Sequence, residues 1–147
     1  MAQLLICGAS LLTIDAGGKS RIFFVNGRTA ISGLTLTGGD GIGTTNTFYN
    51  REGGAILNIG NLTLSDDVIR GNAAAFGGGI YNISFLSSTD DTFSNNLALD
   101  AGLGAEGGGM VNQGIMTSMD DTISGNSAQS TFNDTEGGAI WNGSDLS

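Results

Sequence analysis

The chain contains no histidine, no proline and a single cysteine, Cys7, in 147 residues. Without histidine, Ser-His-Asp chemistry and imidazole metal sites are excluded. One cysteine excludes an intrachain disulfide and leaves the redox compartment open. Bases are nearly as scarce: 5 Lys and Arg stand against 14 Asp and Glu, a net charge of −9. Nucleic acid and anionic membrane surfaces call for a basic footprint that this composition lacks. Cations, neutral glycans and proteins are the partner classes that remain. The apolar stretch at 4–14 has no basic leader and is too short to span a bilayer, so it reads as a buried first strand.

What is abundant is glycine, 26 residues, beside a hydrophobic fraction of 39% and only 13% charge. Low-complexity linkers carry more proline and charge, so this chain is able to bury a core as a single domain, 1–147. Helical periodicity is absent. Short β-rich runs are punctuated by Gly, Asn and Asp, the pattern of short strands between turns.

Two phrases recur. Gly-Gly-x-Φ-x-Asn, with Φ apolar, starts at Gly53, Gly77, Gly107 and Gly137. Asp-Asp-x-Φ-x-x-Asn starts at Asp66, Asp90 and Asp120, always 13 residues after the first phrase. The only variable segment follows the closing Asn and is 4, 10 and 10 residues long, so the repeats 53–76, 77–106 and 107–136 run to 24, 30 and 30 residues. Residues 1–52 read as a degenerate first coil with a long loop from Asp40 to Glu52, and 137–147 as a partial repeat. Leu34–Gly39 aligns with Asp67–Asn72. Units of this size with three short strands each, such as Ala55–Asn58, Asn61–Ser65 and Asp67–Arg70, predict an all-β solenoid, a parallel β-helix of about five coils. Its coils would lie about 4.8 Å apart.

Stacking predicts columns. Ile56, Ile80, Met110 and Ile140 form one inward column, Leu36, Ile69, Phe93 and Ile123 a second, and Leu62, Leu86 and Met116 a third. Two positions after the third column Leu64 gives way to Ser88 and Ser118, which predicts a looser wall there. Asn58, Asn82, Asn112 and Asn142 predict an Asn ladder, and Asn72, Asn96 and Asn126 another. The paired glycines predict backbone at positive φ.

Gly77–Asn82 and Asp91–Asn96 resemble the GGAI- and FxxN-type repeats in the passenger domains of chlamydial polymorphic outer membrane proteins. They are also similar to the wider set of bacterial surface β-helix proteins with pectate-lyase-like solenoids. Ile31–Gly39 looks like the opening coil of such proteins. The resemblance covers nearly the whole chain. It implies a right-handed β-helix and an extracellular or cell-surface setting. It does not imply one activity, because the scaffold hosts adhesins, lyases and hydrolases alike.

Three groups are candidate sites. The columns Asp66, Asp90, Asp120 and Asp67, Asp91, Asp121 set carboxylates one coil apart, repelling by roughly 0.9 kcal/mol even in a water-like dielectric. Turn capping, or Ca²⁺ held as an oxygen-liganded ion, would relieve that; no cofactor is otherwise implied. Glu52, Glu106 and Glu136 precede their Gly-Gly pairs at the variable corner, where Phe76 stands in the short repeat; with Asp40, Asp100 and Asp134 they make an acidic edge. Insertions confined to one face of a solenoid point to a binding face, and loops also tolerate insertion cheaply. Leu57, Tyr81, Val111 and Trp141 form an outward column, suited to stacking on sugar or to cover by Phe48, Phe76, Leu103 or Phe132.

No catalytic set emerges. Arg70, near the Asp columns, is the one base placed for a pectate-lyase-like reaction, and a solvated role suits it better. The reading is a non-catalytic surface scaffold for adhesion or assembly, with a carbohydrate-active enzyme as the alternative. Partners would be a glycan, a host or cell-surface protein, or further copies stacked end to end. The open last repeat suggests a piece of a longer repeat protein or a self-stacking unit.

Overall fold

A computed structural model describes residues 3–41, 50–100, 104–131 and 134–143, with the backbone alone at 9–11. Among the described residues every regular element is a strand. The first two rows of the structure hold β1 (Leu4–Asp15), β2 (Phe23–Val25) and β3 (Arg28–Thr37). The next row has β4 (Ile56–Asn58), β5 (Asn61–Ser65), β6 (Val68–Arg70) and β7 (Ala73–Ala74). Then come β8 (Ile80–Asn82), β9 (Phe85–Thr89), β10 (Thr92–Ser94), β11 (Leu97–Asp100) and β12 (Ala105–Glu106). The last row has β13 (Met110–Asn112), β14 (Ile115–Met119), β15 (Thr122–Ser124) and β16 (Ser127–Ser130), followed by β17 (Thr135–Glu136) and β18 (Ile140–Asn142).

All strand pairs are parallel, and each joins equivalent positions of successive repeats. In the five-stranded sheet, Phe23 pairs with Ile56, Ile56 with Ile80, Ile80 with Met110 and Met110 with Ile140. In the eight-stranded sheet, β3 is long enough to pair with both β5 and β6; Leu36 lies against Ile69, then Phe93 and Ile123. The register is the one the repeat spacing predicts, down to Leu34–Gly39 beside Asp67–Asn72. The variable corner holds small sheets of its own, β7–β11–β16 and β12–β17. Three strands per repeat was therefore an undercount: a segment that varies in length still hydrogen-bonds wherever its neighbour runs alongside.

Three left-handed positions recur in every full row. Gly33 (φ 66°), Asp66 (57°), Asp90 (58°) and Asp120 (57°) share one of them. Gly38, Gly71, Asn95 and Gly125 share the second, and Gly53, Gly77, Gly107 and Gly137 the third. Left-handed backbone costs about 1–2 kcal/mol for most side chains and least for Gly, Asn and Asp, the only residue types found there. The second glycine of each pair has a different task. A Cβ on Gly54 would lie 2.1 Å from the Gly78 carbonyl oxygen, and one on Gly78 2.4 Å from that of Gly108. The first glycine supplies a left-handed conformation and a close approach within its own row, where a Cβ on Gly53 would lie 2.1 Å from the Ile56 carbonyl oxygen; the second supplies a close approach between rows.

Side chains from the two large sheets meet in one apolar cluster that includes Ile31, Leu34, Leu36, Ile56, Leu62, Leu64, Ile69, Ile80, Leu86, Phe93 and Met110. Burial contributes roughly 1.5–3 kcal/mol for each large side chain. Met116, Ile123 and Ile140, which continue the columns into the last row, are half-buried.

Two expectations need correction. The first strand is not buried: Leu4, Leu5 and Leu12 are 58%, 64% and 53% exposed. It pairs only with β3, so nothing covers its far side among the described residues. The Leu-to-Ser change does not slacken the wall at Ser88, while Ser118 is exposed. Ser88 is buried, and its hydroxyl donates to Asp91 Oδ2 at 2.7 Å; Ser118 does the same for Asp121 at 2.5 Å. A hydrogen bond to a carboxylate takes the place of apolar contact.

Candidate functional site

The two Asp columns separate by role. Asp66, Asp90 and Asp120 are exposed and occupy the left-handed turn. Asp67 and Asp91 are buried, and the column they form with Asp121 ties row to row. Asp67 Oδ1 accepts the Leu34 N–H at 2.8 Å, Asp91 Oδ1 accepts the Asp67 N–H at 2.7 Å, and Asp121 Oδ1 accepts the Asp91 N–H at 2.8 Å. Burial raises the pKa of Asp91, and the Ser88 hydroxyl and Asp67 N–H counteract it. Among the described residues, no group of three or more His, Cys, Asp or Glu is gathered to hold a metal ion.

The Asn columns are continuous ladders. Asn58 Nδ2 donates to Asn82 Oδ1, Asn82 to Asn112 and Asn112 to Asn142, each at 2.7 Å. Asn72 and Asn96 donate up the second ladder at 3.0 Å. Oδ1 of Asn96 and Asn126 also accepts the backbone N–H of the row before. The amides of both ladders are thus engaged in holding rows together.

At the variable corner, Glu52, Phe76, Glu106 and Glu136 form one parallel column. Phe76 separates Glu52 from the other two, so the three glutamates do not converge. Partial burial, and then the neighbouring Glu136, raise the pKa of Glu106. Glu136 accepts the Trp141 indole N–H at 2.6 Å. In the outward column, Leu57 and Val111 are fully buried while Tyr81 and Trp141 are half-buried. Phe48, Leu103 and Phe132, read as its covers, lie outside the described residues. Arg70 is exposed on the ladder between Thr37 and Ser94, away from this corner.

The short repeat shapes the corner. Its 4-residue turn, Ala73–Phe76, lies between the 40–52 loop and the 10-residue segment 97–106. Asp40 pairs with Ala73 and Glu52 with Phe76, which places both loop ends directly on the short turn. A hollow of about 260 Å³ lies here, lined among the described residues by Asp40, Gly41, Arg51, Ala73–Ala75 and Leu99. Arg51, 44% exposed, forms an ion pair with the buried Asp100. The neck of the long loop is fixed by Arg21: Nη2 donates to the carbonyls of Gly41 (3.2 Å) and Glu52 (2.6 Å), and Nε to those of Glu52 and Gly53 (3.1 Å). Burial lowers the Arg21 pKa and Glu52 opposes this.

Sequence reading found the acidic edge and missed Arg51, Leu99 and the hollow. The available signal was the 24-residue repeat between longer neighbours, which must leave a gap at their shared corner. Chemically the hollow offers a small apolar floor, one exposed apolar wall and a rim of both charges, features that suit a polar, near-neutral ligand. Comparison with protein-family models, curated proteins and solved structures gives no match.

Proposed function

We propose that the chain is a right-handed parallel β-helix serving as a non-catalytic extracellular or cell-surface scaffold, with the variable corner as its adhesive face. Three left-handed positions per row, parallel pairing throughout and one core shared by two sheets support the helical winding. Parallel crossovers are right-handed in nearly all proteins. The resemblance to surface β-helix repeats supports the setting.

The observation that carries the scaffold reading is the engagement of polar side chains in contacts between rows. Asp67, Asp91, Asn58, Asn72, Asn82 and Asn96 are buried in ladders that continue from one repeat to the next. At the variable corner, by contrast, Asp40 and Arg51 line a hollow. The partner would be a glycan or a surface protein, and the ladders also suit growth by stacking further rows.

Replacing 97–106 by the four-residue turn Ala73–Phe76 tests this on a panel of soluble polysaccharides and cell-surface extracts. The scaffold reading expects the intact chain to bind without turnover, and the shortened chain to stay folded and lose binding. Turnover of any polysaccharide by the intact chain would move the protein to the carbohydrate-active class.

A further inference from the structure

The Asp67 column contains an internal comparison. Asp91 and Asp121 each place Oδ2 against a serine hydroxyl, from Ser88 and Ser118. In the row of Asp67 that serine position is Leu64, as the pairing of Leu64 with Ser88 and Ser88 with Ser118 shows. Asp67 is 1% exposed, and its Oδ2 is a buried side-chain oxygen without a hydrogen-bond partner among the described residues. The Thr89 N–H reaches Asp91 Oδ2 at 3.2 Å, whereas its counterpart at Ser65 is near enough to favour the charged form of Asp67 but falls short of hydrogen-bond geometry to Oδ2.

We propose that Asp67 is a proton-operated latch between rows: Oδ1 makes the bond to the row before, and the joint is most stable when the sealed Oδ2 carries a proton and is destabilised when the proton leaves. A buried carboxylate oxygen with no donor is costly, and protonation is the cheapest way to remove that cost. The charged groups around it add to the effect. Asp66 adjoins it in the chain and Asp91 faces it from the next row, both negative. The Leu34 N–H of the row before is bound to Oδ1.

Burial, as the largest cause, raises the Asp67 pKa from 3.8 to about 6; the Leu34 N–H lowers it, Asp91 raises it, the Ser65 backbone lowers it and Asp66 raises it. Because the folded-state pKa lies above the unfolded one, folding binds a proton between these values. This group therefore lowers stability progressively as pH rises from about 4 to about 6, and the loss is complete above that.

Carboxyl carbon NMR titration of the intact chain should place the Asp67 midpoint near 6. Leu64→Ser supplies the missing donor and should move the Asp67 midpoint toward the ordinary carboxylate range. Asp67→Asn, which mimics the neutral acid, covers the case in which Leu64→Ser does not fold. It should gain stability relative to the wild type as pH rises through the same window. A wild-type midpoint in the ordinary range, or an Asp67→Asn difference constant across the window, overturns the latch.

Discussion

Replacing Asn82 by alanine removes a middle rung of the longer Asn ladder. Asn82 is fully buried, accepts from Asn58 Nδ2 and donates to Asn112 Oδ1, both at 2.7 Å. After truncation Asn58 Nδ2 keeps the Phe85 carbonyl at 2.8 Å and Asn112 Oδ1 keeps the Gly114 N–H at 3.2 Å. The Ser84 N–H, which reaches Asn82 Oδ1 at 3.3 Å, loses that acceptor. Two amide–amide bonds at about 1 kcal/mol net each, plus the penalty for groups left short of partners, sum to roughly 2–4 kcal/mol. For a chain of this size each kcal/mol shifts Tm by roughly 2–4 °C, so the loss should be on the order of 4–16 °C. Asn61→Ala is the control: Asn61 lies near the same corner but is exposed, and its change should stay within about 0.5 kcal/mol. Urea unfolding of both variants and of Asn58→Ala/Asn82→Ala is the assay. The double variant should cost less than the sum of its parts, since the two share a bond. An Asn82→Ala loss no larger than that of Asn61→Ala would refute the view that the ladder carries stability.

Backbone strain and close approach separate by substitution at two glycines, Gly17 in an open left-handed turn (φ 62°) and Gly78 in a repeat pair. Gly17→Ala meets only backbone strain, since nothing lies within 4 Å of the added Cβ, and should cost about 1–2 kcal/mol. Gly78→Ala drives its Cβ against the Gly108 oxygen, and chemical denaturation should show a loss of about 3 kcal/mol or more. Changing Asp66, Asp90 and Asp120 together to Asn keeps residues that tolerate positive φ while removing aligned charge. Melting should be unchanged or slightly higher, with or without added calcium; a rise in melting on adding calcium that the wild type shows and the variant lacks would restore the cation reading. Ser88→Ala strips the hydroxyl from Asp91 Oδ2 and should cost about 1–3 kcal/mol at neutral pH. That cost should shrink in acid, because the pKa of Asp91 is already raised by burial and would rise further, so the neutral form persists to higher pH. A cost independent of pH would show that Ser88 matters through packing alone.

The sequence by itself determined the all-β class, the register and the columns. A fixed offset of 13 residues between two phrases leaves one way to lay the repeats side by side, and each column must then repeat the residue type its backbone position demands. Left-handed backbone selects Gly, Asn and Asp at Gly53, Asn95 and Asp66, and close approach selects Gly54. These are local demands, so they are written locally.

Tertiary structure alone decided the rest. That Ser88 donates to Asp91 while Leu64 leaves Asp67 Oδ2 without a donor depends on side chains from different strands meeting at a corner. That Arg21 fixes the neck of a loop whose ends lie 20 and 31 residues further on, and that Arg51 reaches Asp100 over a short turn, depends on which rows lie side by side. Leu57 and Tyr81 occupy the same column, yet only Leu57 is fully buried. Burial and pairing are sums over neighbours distant in the chain, and a repeat read one unit at a time does not contain those neighbours.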